Sequence, residues 1–160
     1  YHAKAYSPAI GDVVATSDQE AGTVDIVFIM ADGAKPGPEM INGLKGYLQD
    51  KTIRPMTDLV NVSAPEEVPY TIGLTYYISR SDSAKAVTIQ AAVAQAVADY
   101  QTWQRAIGRD INPSKLVALV MAAGAKRVTV TAPTYTAVAA TKVSALQGEA
   151  VISYGGLEDD

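Results

Sequence analysis

The feature that most constrains this chain is a run of alternation between residues 68 and 79. Val68, Tyr70, Ile72, Leu74, Tyr76 and Ile78 alternate with Pro69, Thr71, Gly73, Thr75, Tyr77 and Ser79. Successive side chains of a strand point to opposite faces, so the pattern predicts one long strand with a buried and a solvated side. Pro69 has no N–H to give a ladder and belongs at a sheet edge or near a strand start. The layer that covers the buried side follows directly. Ile89, Val93, Val97, Tyr100, Trp103 and Ile107 recur at intervals of three and four, the apolar face of a helix of about 20 residues. Ser81-Asp82-Ser83 ahead of it is loop chemistry that can supply caps, and Gly108 behind it suits a left-handed stop. Asn112 as N-cap, Pro113 in the first turn, and Ile111 with Leu116 as a hydrophobic staple open a second helix. That helix is expected to reach Ala123 and stop at Gly124. Residues 127–131 (RVTVT) and a segment around 149–154 (EAVISY) read as further strands.

The first half has its own pattern. Residues 12–16 (DVVAT) and 23–31 (TVDIVFIMA) are rich in β-branched residues, and the second run is apolar at nearly every position. It suits a central strand buried on both faces. The polar stretch at 17–22 joins the two as a hairpin. Pro36-Gly37-Pro38-Glu39 opens a helix, with proline in the first turn and a carboxylate at its N-terminus. Ile41, Leu44 and Leu48 form its apolar stripe. Arg54-Pro55 should end it, because the residue before proline is pushed out of the α region. Residues 59–64 (LVNVSA) give another strand. The expected fold is therefore α+β: a β-β-α-β unit over residues 1–65 and a β-α-α-β-β unit over residues 66–160, each a small sheet backed by helix. Neither half is a βαβ series with glycine-rich turns, which argues against a doubly wound nucleotide fold.

Composition narrows the function classes. Of 160 residues 48% are hydrophobic, enough for packed cores, and 13 basic against 17 acidic residues leave a net charge of −4. Without a basic run there is no surface to neutralise phosphates, so no nucleic-acid partner is expected. No apolar stretch is long enough to span a bilayer, and no membrane insertion is expected. Cysteine is absent, which removes disulfides and thiolate chemistry. The chain opens at Tyr1 with no signal-peptide pattern, and reads as a piece cut from a longer protein on its N-terminal side.

Catalytic raw material is thin. His2 is the single histidine and sits near a terminus, without an orienting partner in reach of sequence. No HExxH, EF-hand, GxGxxG or GxxxxGK pattern occurs. Asp32-Gly33 before Pro36-Gly37-Pro38 reads as a turn. Glu66 and Glu67 are adjacent and would point to opposite faces of a strand. Glu158, Asp159 and Asp160 read as a solvated tail with nothing downstream to hold it. Asn61-Val62-Ser63 matches a glycosylation sequon with no secretory context. Arg109, between the two helices, could hold an anion at the second helix's N-terminus; the plainer reading is that Arg109 and Asp110 fix the interhelix turn. Tyr77, on the outward face of the long strand, is a candidate contact residue; the plainer reading lays it flat on its own domain. No residue is assigned a catalytic, cofactor-binding or metal-binding role, and no cofactor is expected.

Several segments together carry a family resemblance. Residues 22–68 run GTVDIVFIMADGAKPGPEMINGLKGYLQDKTIRPMTDLVNVSAPEEV, in which Ile53-Arg54-Pro55-Met56-Thr57-Asp58 precedes Val60, Val62 and Pro65. Gly108-Arg109-Asp110-Ile111, with Ile107 before it, and Val128-Thr129-Val130-Thr131-Ala132-Pro133 follow in order, and His2-Ala3 fits ahead of the first strand. In this order the segments resemble the baseplate J-like family of contractile phage tails, over nearly the whole chain. The resemblance implies a structural wedge component of a phage or prophage baseplate, not an enzyme, working through protein–protein interfaces during assembly. Its implied partners are other baseplate wedge and hub proteins, in a homo- or hetero-oligomer. Its implied location is the virion tail, with the bacterial cytoplasm as the place of assembly. A tail-associated module acting on carbohydrate or cell wall through paired carboxylates is the competing reading. A ligand-binding module with a tyrosine-lined groove is a third.

Overall fold

A computed structural model describes residues 2–18, 20–50 and 59–160. The Arg54-Pro55 stop and the whole of Ile53 to Asp58 therefore lie outside the described residues. The fold is α+β, and the chain divides into two compact units. The first comprises residues 1–67, 106–108 and 139–143; the second comprises 68–105, 109–138 and 144–160. Two short segments from the C-terminal half, 106–108 and 139–143, thus fall in the first unit, where a single division at 65/66 does not put them.

In the first unit a short helix, α1 (His2–Tyr6), precedes β1 (Ile10–Asp18), β2 (Thr23–Met30), α2 (Pro38–Gln49) and β3 (Leu59–Ser63). The hairpin expected between the first two strands is present: β1 and β2 are antiparallel, and β3 joins the other side of β2 in parallel. Asp18 shapes the turn, its carboxylate accepting the backbone N–H groups of Glu20 and Ala21. β2 is central and covered on both faces, as its continuous apolar run predicts. Ile26 and Phe28 pack with Leu44 and Leu48 of α2 and with Val60, whereas Ile29 and Val27 turn to Ile107 and Val143. Ile107 is thereby not part of a helical face, despite its spacing. It follows the end of the long helix and fills the far side of the first unit's sheet, where its N–H donates to Asp12 at 2.8 Å. α2 ends at Gln49, ahead of the expected stop.

In the second unit the long alternating run is two strands, β4 (Glu67–Tyr70) and β5 (Gly73–Ser79). Alternation continues across the break because Tyr70, Ile72 and Leu74 are all buried; sidedness persists while the ladder partner changes. β4 pairs with β7 (Val143–Leu146), a strand the sequence pattern does not separate from its loop. β5 is the centre of a second sheet, antiparallel to β6 (Arg127–Ala132) and parallel to β8 (Val151–Glu158). Residues 80–85 form a 3-10 turn rather than a capping loop, and no side chain caps the helix that follows. That helix, α3 (Ala86–Gln104), and α4 (Pro113–Ala122) cover one face of the sheet. Leu74, Tyr76 and Ile78 meet Ile89, Val93, Val97 and Tyr100 of α3 and Leu116 and Val120 of α4 in one core. Asn112 caps α4 as expected, accepting from the Ser114 N–H at 3.0 Å. Ile111 and Leu116 are both fully buried in that core.

Candidate interaction surface

The loop from α3 to α4 is built around a buried amide. Gln104 closes α3 with no exposed surface, so its polar atoms must find partners inside the protein. Its side-chain oxygen accepts from the Tyr100 hydroxyl at 3.0 Å and the Asn112 N–H at 3.1 Å, and its NH2 donates to the Asp110 carbonyl at 2.8 Å. The Ser144 hydroxyl donates to the Gln104 carbonyl at 2.8 Å. Burial, ahead of its contact with Tyr70, drives the Tyr100 phenol far above its ordinary range. Burial likewise pushes Tyr70 up to about 12. Both rings stay neutral and serve as packing and hydrogen-bonding groups. Gln104 carried no sequence signal: it lies one step beyond the apolar spacing of α3 and looks like any polar residue at a helix end.

Arg109 and Asp110 fix this turn, and each has its own partner. The Arg109 guanidinium donates to the Trp103 carbonyl and lies 4.3 Å from the centre of the Trp103 ring. Lys115 approaches the same ring, at 5.4 Å. The Asp110 carboxylate accepts the Tyr135 hydroxyl at 2.6 Å and the Val138 N–H at 2.8 Å. The Tyr135 bond first, then the Val138 bond, holds that carboxyl below the usual aspartate range. Each of these groups has a local partner, the arrangement that the turn-positioning reading expects.

The acidic tail departs from expectation. Glu158 is the last residue of β8 and takes a bidentate grip from Arg127, at 2.9 and 3.1 Å. Asp159 takes Arg80 at 2.6 Å, and its carbonyl accepts from Lys126. Hydrogen bonds from Ser81 and Ser79 hold the Asp160 carboxyl below its usual range. Three cations and two serines of the second unit thus order a segment that sequence alone reads as free. Tyr77 lies flat on its own unit: the Arg127 guanidinium stacks 4.0 Å above its ring, and a side chain at Gly155 would overlap that ring.

Other polar side chains singled out in the sequence also have partners. Glu66 meets Lys142 at 3.1 Å and Glu67 meets Lys35 at 3.5 Å. Asn61 donates to Asp25 at 2.9 Å, and Asp32 shapes its turn by accepting the Ala34 N–H at 3.0 Å. His2 lies in α1. Among the described residues no three His, Asp or Glu side chains gather as a metal site. A shallow cavity of about 200 Å³ in the second unit is lined by Pro69, Tyr70, Thr71, Ala132, Pro133, Thr134 and Thr136. No carboxylate, imidazole or cation lines it. Large apolar side chains do reach solvent: Val87 and Met121 on the helices, Tyr135 in a loop, and Val151, Ile152 and Tyr154 on β8. These side chains give the described surface apolar contact points.

Comparison with known proteins agrees with this character. The profile of the baseplate J-like central domain matches residues 1–64, and that of the baseplate J-like protein C-terminal domain matches residues 71–152. Baseplate protein J of Escherichia phage P2 is 26% identical over 133 residues, which cover 83% of this chain and 43% of the phage protein. The chain therefore spans less than half the length of that relative.

Proposed function

Since the chain belongs to the baseplate J-like family, we propose that it is a structural component of a contractile-tail baseplate, a wedge subunit that acts through protein–protein interfaces. The observation that carries this reading is the ordered match of two successive J-like domains over residues 1–64 and 71–152. The chemistry of the described residues supports it. Buried polar groups such as Gln104 fix loops, and half-buried carboxylates such as Glu158 pair with cations to hold strand ends. Such a part keeps its shape while neighbours move. Its partners in this reading are other wedge and hub subunits, its place is the virion tail, and it assembles in the bacterial cytoplasm. It carries out no reaction of its own.

Immunogold electron microscopy of tail particles, with antibody raised against residues 1–160, tests the proposal. Gold at the baseplate end is the expected result. Particles left unlabelled there, with antigen free in the cytoplasm, would overturn it. The competing hydrolase reading needs two carboxylates roughly 5–9.5 Å apart across a sugar-binding cleft. The cavity beside Tyr70 has no carboxylate in its wall, so the interface reading is the stronger.

A further inference from the structure

We propose that the outer edge of β8 is a docking site for an extended segment of another protein, an apolar strand with a basic residue at one end, which adds to the sheet beside β8. The proposal deepens the reading of this chain as an interface protein by naming one surface and the chemistry of its occupant.

The edge follows from register. Among the described residues β8 has one ladder neighbour, β5. The Val151 N–H donates to the Ile72 carbonyl at 2.9 Å, and Gly73 pairs with Val151, Leu74 with Ile152, Thr75 with Ser153 and Tyr76 with Tyr154. In a parallel ladder alternate residues carry the bonds. Val151 and Ser153 therefore face β5, and the N–H and C=O groups of Ile152 and Tyr154 face outward. Side chains in register share a face, so Ile152 and Tyr154 continue the apolar side formed by Leu74 and Tyr76. There the helical layer runs out: Leu74 and Tyr76 are 3% exposed, whereas Ile152 is 36% and Tyr154 38% exposed. On the other face Val151 is 64% exposed.

Natural sheets blunt their edges with lysine, proline or inward charges. The opposite edge strand, β6, follows this rule, with Lys126 and Arg127 at its start and Pro133 just after its end. Residues 151–154 of β8 carry none of these. Only at Gly155 and Gly156 does the register shift and the strand bend, so the open stretch is short and lies at the N-terminal end of β8.

Charge selects the occupant. Glu149, just before β8, is exposed and makes no ion pair among the described residues. A second copy paired antiparallel about Ser153 would set its Leu157–Glu158 end against Glu149. The cations there are already used, Arg127 by Glu158 and Lys126 by the Asp159 carbonyl. A second copy therefore offers carboxylates and no free cation. A different strand does better when it places apolar residues opposite Tyr154 and Ile152 and a Lys or Arg three positions further on, opposite Glu149. Main-chain bonds supply the affinity and the alternate side chains the specificity.

The test uses the 160-residue chain and a synthetic peptide, Thr-Val-Thr-Ile-Thr-Thr-Lys-Thr with blocked ends. NMR should show saturable binding by about 1 mM peptide, with amide exchange of Ile152 and Tyr154 slowed at least tenfold. Replacing the peptide lysine by glutamate should weaken binding severalfold at low salt and less at high salt. Ile152→Pro removes an outward N–H while leaving the β5-facing bonds, and should abolish binding with the circular dichroism spectrum unchanged. If that variant misfolds, Ile152→Lys serves the same purpose as an edge charge. No protection at Ile152 and Tyr154, protection unaffected by either substitution, or an equal response to the glutamate peptide would overturn the proposal. So would concentration-dependent dimers that protect these two amides without peptide, which would assign the edge to a second copy. Gold labelling of the baseplate is independent of all these outcomes, so failure here leaves the assembly role standing.

Discussion

Gln104 shows how much one buried side chain decides. Its amide meets the Tyr100 hydroxyl, the Asn112 N–H and the Asp110 carbonyl, and cutting it back strands all three inside the second unit. Gln104→Ala should therefore cost about 2–4 kcal/mol, since each unpaired buried polar group costs roughly 1–3 kcal/mol and relaxation recovers part. Urea unfolding followed by Trp103 fluorescence measures it, and a loss below about 0.5 kcal/mol would contradict the network described. Titratable groups give a second prediction. The Asp110 carboxyl is held low by Tyr135 and Val138. Its contribution is fully present above the ordinary aspartate range and is lost as pH falls through the lower folded-state value. Melting temperature should drop on acidification, and Tyr135→Phe should flatten that drop. At the alkaline end the sign reverses. Tyr70 is raised to about 12, so its contribution is complete below the ordinary phenol range near 10 and is lost as pH rises toward 12. A Tyr70→Phe chain should resist alkaline unfolding better than the parent.

At the scale of elements, packing against a neighbour overrides the pattern within one segment. Residues 68–79 alternate without interruption, yet they form β4 and β5 in two different ladders. Period two states which side is buried and is silent about which strand lies alongside. β8 shows the converse. Gly155 packs against the Tyr77 ring, over which the Arg127 guanidinium lies. Gly155→Ala should destabilise the strand by about 1–3 kcal/mol through overpacking, and Tyr77→Ala in the same chain should recover most of that loss. Denaturation of the single and double variants checks the coupling. Additive losses would mean that the ring and the glycine do not compete for space.

The whole molecule holds separate cores, one about Phe28 and Leu44 and another about Tyr100 and Leu116. Phe28 is fully buried, so Phe28→Ala should cost the first unit about 3–5 kcal/mol. Amide exchange in β2 reads this directly, and unchanged protection there would contradict the packing. Most of the division into elements is legible in sequence because local rules write it. The continuous apolar run of β2, the helical spacing from Ile89 to Trp103 and the Asn112-Pro113 helix start each depend on neighbours in the chain. Ile107 misleads because it keeps helical spacing after the helix has ended. β7 is short and has no alternation long enough to read.

The sequence by itself determined the α+β class, the central position of β2, the helical pair over the second sheet and the family, through residues whose meaning is local or whose order along the chain is distinctive. Tertiary structure decided the rest. It brought Asp110 to Tyr135, Arg127 to Glu158 and Tyr77 to Gly155, and it placed Ile152 and Tyr154 on the edge strand of the described sheet. Each of these depends on which distant strand or loop lies alongside, and that choice is made by the packing of whole layers, where no single segment carries the information.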